Sequence, residues 1–303
     1  MAGTIVVGYN GTSHSEGAVD WAVEEAARRN AEIVVVSAAD YTGMGVGTAP
    51  GLVELGSYAI DAAERVTAAG VERARVGYDN VPDSPNKWPV DVSGSTQMGS
   101  GAGTLIEASR AADLLVVGTR GRGLVAGTLL GSVAFSVAAH AHCPVVVVHE
   151  DNDVQAEARQ RVVVAVDGSD PAAAATRLAG EFASLRSVPL EVISAFEAPL
   201  KNGHEERGQP KDDSTTLAHQ RAEQICSAAE SAVRAEHPEL EVSTRMVPGG
   251  AEDAITQASE GAGLVVIGSR GRGGFAGLVL GSVSRSVIYG ASCPVAVAHA
   301  DGD

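Results

Sequence analysis

The chain repeats itself. Residues 114–149 and 264–299 align without a gap at an offset of 150 residues, and 21 of the 36 positions are identical. A duplicated unit restricts the chain to two copies of one small domain, and 303 residues suffice for about 150 in each copy. The domains are expected at residues 1–150 and 158–303, with an acidic linker at 150–157 between them. The best-preserved stretch is not a plain core strand. It reads as a strand, a glycine-rich loop and a helix start, the local arrangement that holds phosphate groups.

Each copy alternates strand and helix. In the first, strands are expected at 4–9, 33–36, 88–98, 114–118 and 144–148, and helices at 58–78, 104–111 and 131–140. Another helix follows the first strand. Ser13 stands three residues before Glu16, the spacing of a capping box, and Ala18, Val19, Ala22, Val23, Ala26 and Ala27 form its apolar stripe. Trp21 joins that stripe as core. The segment 40–57 holds Gly43, Gly45, Gly47, Gly51 and Gly56 and reads as a mobile loop. The second copy repeats the pattern. Its strands are expected at 161–166, 190–194, 241–247, 264–268 and 295–299, its helices at 215–236, 251–260 and 281–290, and a polar loop at 197–214. Asp170-Pro171 opens a further helix with proline at its first position. Strands that read as unbroken Val/Ile runs between helices imply parallel sheets covered on both faces, and right-handed crossovers then give two doubly wound α/β domains. Ligands in such sheets bind at the carboxyl ends of strands where strand order reverses, so the turns after the first and fourth strands are the expected contributors.

Charge narrows the partners. The net charge is −16; residues 1–150 carry 16 acidic and 9 basic side chains, and the rest carry 22 and 13. Such a surface repels nucleic acid and anionic membranes, and any phosphate site must work through local amides and arginines. No run approaches the roughly 18 apolar residues of a membrane span. The start MAGTIVVGYNG lacks the features of a signal peptide, so a cytoplasmic protein is expected. Cys143 and Cys293 are repeat equivalents before prolines, Cys226 sits in a helical stretch, and all three read as buried thiols. No CxxC, HxxxH or HExxH spacing suggests a metal centre.

The repeated loop has a chemical reading. The first copy has Gly118-x2-Gly121, nine residues, then Gly131-Ser132-Val133; the second has Gly268-x2-Gly271, nine residues, then Gly281-Ser282-Val283. Gly118 and Gly268 end a buried strand, where a missing Cβ would let a ligand approach the backbone. Gly121 and Gly271 would supply positive φ. Gly131-Ser132 and Gly281-Ser282 begin helices whose unpaired amides and dipole favour an anion, with a hydroxyl as a further donor. Arg120, Arg122, Arg270 and Arg272 flank the glycines, either over the phosphates or in surface ion pairs. A Walker loop would need GxxxxGK[ST], which is absent; the turns after the first strands, Gly8-Tyr9-Asn10-Gly11 and Val166-Asp167-Gly168-Ser169, are not the Rossmann GxGxxG.

The G-x2-G-x9-G-[ST] loops, the VDGS turn at 166–169 and the closing CPV motifs resemble the universal stress protein family, in its tandem-domain, ATP-binding branch. The likeness covers nearly the whole chain. It implies a five-stranded parallel sheet of order 3-2-1-4-5 in each domain, dimerisation through an edge strand, cytoplasmic location and a role in stress survival or growth arrest. It also implies an ATP site in each domain, with or without Mg2+. On that resemblance, Asp167 contacts the nucleoside side of the ligand, with Asn10 in its place in the first copy. Ala39 and Phe196 offer backbone contacts to adenine, and Ser284 is a small polar residue near the phosphates where the first copy has Ala134. The second copy is therefore closer to the family pattern.

No general base, nucleophile or metal cluster announces an enzyme, so the expected activity is that of a nucleotide-binding regulator with at most slow ATP hydrolysis. ATP-driven ordering of the loops at 40–57 and 197–214 would present a surface to a protein partner. The alternatives are a nucleotide-independent interaction scaffold and an AMP or cyclic AMP sensor. A related-fold hydrolase or transferase would carry an SGGxDS loop, and neither first-strand turn does. Trp88 reads as core or interface, and His149 and His299 as structural or dimer contacts.

Overall fold

The unbroken Val/Ile/Leu runs become the central strands of two parallel sheets. In the computed structural model, which describes residues 3–40, 52–81, 90–119, 131–149, 161–196, 213–272 and 280–300, the chain divides into two units, Met1–Asn152 and Asp153–Asp303. The first unit runs β1 (Thr4–Gly8), α1 (Ser13–Arg29), β2 (Glu32–Ala39), α2 (Leu52–Asp79), β3 (Val92–Met98), α3 (Gly101–Ala108), β4 (Leu114–Gly118), α4 (Ser132–His140) and β5 (Val145–Val148). The second runs β6 (Val162–Ala165), α5 (Asp170–Arg186), β7 (Leu190–Phe196), α6 (Asp213–Glu236), β8 (Val242–Pro248), α7 (Ala251–Ser259), β9 (Leu264–Gly268), α8 (Ser282–Gly290) and β10 (Val295–Ala298). Strand order is β3-β2-β1-β4-β5 in the first unit and β8-β7-β6-β9-β10 in the second, all parallel. Both are the expected 3-2-1-4-5 order.

The strand order reverses beside β1 and β6, and right-handed crossovers then send the helices to opposite faces. Accordingly α1 packs with α2 and α3 with α4, and the second unit pairs α5 with α6 and α7 with α8. With helices on both faces, β4, β5, β9 and β10 are buried at every position except the terminal glycines of β4 and β9. The apolar stripe of α1 is buried as expected, and Trp21 is 7% exposed within it.

Several local expectations need correction. The capping box of α1 is formed by Thr12 and Ser15, not Ser13 and Glu16: Thr12 accepts from the Ser15 amide, and the Ser15 hydroxyl serves the cap in return. Asn10 and the positive φ of Gly11 (75°) bring the chain into the helix one residue earlier. Ser169 caps α5, so Pro171 is its second residue rather than its first. Helix α2 begins at Leu52 and takes in Gly56, so 52–57 is not loop. Strand β3 begins at Val92 rather than at 88, and α3 begins at Gly101, because Ser100 caps it by accepting from the Gly103 amide at 3.2 Å. Strands β2 and β7 run on to Ala39 and Phe196 because β3 and β8 pair with them to the end. Trp88 and the linker at 150–157 lie outside the described residues, as do 41–51 and 197–212 of the two expected loops.

The glycines that end β4 and β9 are fixed by packing. A Cβ on Gly118 would collide with the carbonyl oxygen and carbon of His14 in the first turn of α1. One on Gly268 would lie 2.8 Å from the Pro171 carbonyl carbon in the first turn of α5. Gly118→Ala should therefore destabilise the protein by about 1–3 kcal/mol, since backbone rather than a flexible side chain must move. Gly17, inside α1 with nothing within 4 Å of its Cβ position, should gain about 0.5–1 kcal/mol on change to Ala. Chemical denaturation of both variants checks the pair; equal effects would contradict the packing role.

The thiols are inert by burial. Exclusion from water, with a smaller effect of the Asp113 charge, pushes the Cys143 thiol up to about 12; the same cause, with Glu230, pushes Cys226 up to about 11. Both stay protonated at pH 8. A thiol reagent at that pH should leave both unlabelled in the native protein and label them after unfolding, as peptide mass mapping would read.

Candidate nucleotide-binding cleft

The carboxyl ends of β6 and β9 diverge where the strand order reverses, and a cleft of about 1020 Å³ opens between them. Its walls are the ends of β6 and β7, one face of α6, the loop at 268–272 and the first turn of α8. Every second-copy residue expected from sequence to bind the nucleotide lines it: Asp167, Phe196, Gly268, Gly271, Gly281, Ser282, Val283 and Ser284. In the first unit Asn10 follows β1, Ala39 ends β2 and Gly118 ends β4. Gly131 is the N-cap of α4, followed by Ser132 and Val133. Gly121, Arg120 and Arg122 lie outside the described residues.

One end of the cleft offers donors. Gly281 caps α8 with no side chain, so among the described residues no side-chain acceptor meets the amides of that first turn. The Ser282 hydroxyl also makes no hydrogen bond among the described residues. Two bonds hold the turn in place: the Gly281 amide donates to the Ser269 carbonyl at 2.8 Å, and the Ser284 hydroxyl donates to the Gly268 carbonyl at 2.8 Å. Ser284 thus fastens the helix start to the strand end. In the first unit the Gly131 amide donates to Thr119 at 2.7 Å, but Ala134 has no hydroxyl for the second bond.

The opposite end is apolar. Ile193 and Phe196 of β7 face Leu217, Ala222 and Ile225 of α6, and the Phe196 ring meets His219 edge-on at 5.3 Å between centroids. The α6 wall escaped the sequence reading, although its spacing was visible: 217, 218, 221, 222 and 225 share one helical face. That face also carries Arg221. The registers of α2 and α6 match because Arg75 and Arg234 each donate to the opening carbonyl of the third strand, Val92 at 3.0 Å and Val242 at 3.2 Å. The first-unit counterpart of Arg221 is then Ala62.

Between the two ends lies Asp167. Its Oδ1 accepts from the Ser169 amide at 3.0 Å and hydroxyl at 2.6 Å, and its Oδ2 accepts from the Arg272 amide at 2.7 Å. The left-handed φ of Gly168 (81°) shapes this turn. Asn10 Oδ1 makes the corresponding pair with the Thr12 amide at 3.2 Å and hydroxyl at 2.7 Å. Gly271 does not take the positive φ expected of it. Glycine is needed there because a Cβ would stand 2.7 Å from Asp167 Oδ2. Asp167 is the acidic side chain among the described lining residues, and no cluster of three or more potential metal ligands occurs among the described residues. His299 is not among the described lining residues.

The comparisons agree with this architecture. A universal stress protein of Mycobacterium tuberculosis is 33% identical over 303 aligned residues, covering 97% of this chain and 96% of that protein. One from Mycobacterium bovis is 32% identical over 298, with the same coverage. The crystal structure of a universal stress protein from Archaeoglobus fulgidus superposes with a TM-score of 0.71 at 21% identity, covering 100% of this chain and 98% of that one, a likeness of fold. The sequence pattern of the universal stress protein family matches residues 1–149 and 158–299, nearly the whole of both units. The chain therefore belongs to the universal stress protein family.

Proposed function

We propose that this protein binds an adenine nucleotide, ATP in the first instance, in the second cleft and in its first-unit counterpart, and acts as a nucleotide-dependent regulator in stress response or growth arrest. The observation that carries this reading is the pairing within one cleft of an uncapped helix start with an apolar slot. Unsatisfied amides, the α8 dipole and the Ser282 hydroxyl suit a phosphate chain. The slot between Phe196 and Ile225 suits a flat base.

Turnover is not the purpose of such a site. Hydrolysis needs a group free to orient water. The carboxylate among the described lining residues already has both oxygens in hydrogen bonds to its own loops. A Mg2+ ion would take most of its ligands from water and the nucleotide's own phosphates, as that ion ordinarily does. A homodimer, a cytoplasmic location and a protein partner responding to nucleotide occupancy complete the proposal. No helix among the described residues is long and apolar enough to cross a membrane.

Calorimetric titration with ATP, ADP, AMP and cyclic AMP tests the reading. Ser282→Ala should weaken ATP about tenfold, the scale of one hydrogen bond to a charged group, and leave adenosine unchanged. The second site should be the tighter one, since Ser284 and Asp167 brace it where Ala134 and Asn10 do less. Asp167→Ala should then cost more ATP affinity than Asn10→Ala; equal losses would contradict the asymmetry, and failure of every nucleotide to bind would leave an interaction scaffold as the better account.

A further inference from the structure

The geometry points to Asp167 as a positioning residue. It acts on a nucleotide's phosphates through the loop after β9, rather than by touching the nucleoside; this rests on reading the second cleft as a nucleotide site. A carboxylate offers acceptor sites only. Here Oδ1 closes the turn onto Ser169, and Oδ2 reaches across 105 residues of sequence to the Arg272 amide at 2.7 Å. Bonds to an ionised acceptor are about twice as strong as neutral ones, so this tie holds the 271–272 peptide firmly against the end of β6.

A second observation points the same way. The Cβ position of Gly271 is 2.7 Å from the same Oδ2, so the glycine admits the carboxylate to its place beside the loop. The tie also sets where Arg272 goes: its guanidinium carbon would stand 3.7 Å from a Cβ on Gly168, back over the β6 turn. Arg270 also lines the cleft. The direction of the loop's amides toward a phosphate chain therefore depends on Asp167. The first unit serves as an internal control. Asn10 uses its Oδ1 for the same local pair, and its remaining atom is an NH2 group, which cannot accept an amide. On this reading Asp167 gives the second cleft a tie to its phosphate loop that Asn10 cannot make.

The test uses the full chain and titrates ATP and adenosine into wild type, Asp167→Asn, Arg272→Ala and Arg272→Pro. Hydrogen exchange at residue 272 is read without nucleotide. Asp167→Asn should lower ATP affinity about tenfold or more while changing adenosine affinity less than about threefold. Arg272→Pro, which removes the tied N–H, should weaken ATP about tenfold beyond Arg272→Ala, which removes only the guanidinium. The Arg272 amide should be protected in wild type and exchange faster in Asp167→Asn. Equal loss of ATP and adenosine in Asp167→Asn would overturn the proposal in favour of direct nucleoside contact. So would identical ATP affinity of the two Arg272 variants, or an amide unprotected in wild type. A wild type that binds neither ligand would instead remove the reading of the cleft itself.

Discussion

Each unit is organised by a place where two stretches of backbone meet without a side chain between them. Gly118 and Gly268 end the fourth strand of their units against the first turn of α1 and α5. This contact fixes how closely the helix after the first strand crosses the fourth strand, and so how the strand ends diverge. The rest is built on it. In the second unit the turn after the first strand, the loop after the fourth and the start of the last helix converge on one cleft beside that crossing. A glycine that looks designed for a ligand is first of all a packing residue, and the ligand-accessible amides lie a few residues further on.

The two units show how a duplicated frame can diverge in the residues around its strand ends. Sheet order, crossover handedness and the glycine that caps the last helix are common to both. What differs is the fastening: Asp167, Ser284 and Arg221 in the second unit stand where Asn10, Ala134 and Ala62 stand in the first. Asn10, Asp167, Ala62 and Arg221 lie outside the buried core, whereas Ala134 and Ser284 are themselves buried, so only that last exchange alters core packing. A charge carried into a cleft matters more than the same charge on the surface, because it is less screened there.

Much of the fold was legible because burial on both faces writes an unmistakable pattern. A run such as Leu114–Gly118 or Val145–Val148 has no polar face to show, and only a parallel sheet between helices accommodates it. Element ends were less legible, for local reasons. Thr12 rather than Ser13 caps α1 because Asn10 and Gly11 turn the chain one residue sooner, a choice between neighbouring hydroxyls that periodicity cannot make. Of the eight second-copy residues that line the cleft, Gly268, Gly271, Gly281, Ser282 and Val283 are marked by the repeat, while Asp167, Phe196 and Ser284 differ between the copies and came only from the family resemblance. The α6 wall was missed because its residues are ordinary helix formers, and only the fold turns their face toward the cleft. The role of Gly271 was misread because its neighbour is Asp167, 104 positions away in the chain, and no local rule connects the two.

The central claim is that these clefts hold a nucleotide, and native mass spectrometry of the purified full-length chain, before and after mild denaturation with any released small molecule identified, tests it most directly. The account predicts an adenine nucleotide retained at one or two per chain, or taken up at that ratio when ATP is added. A chain that emerges empty and stays empty at millimolar ATP would contradict it.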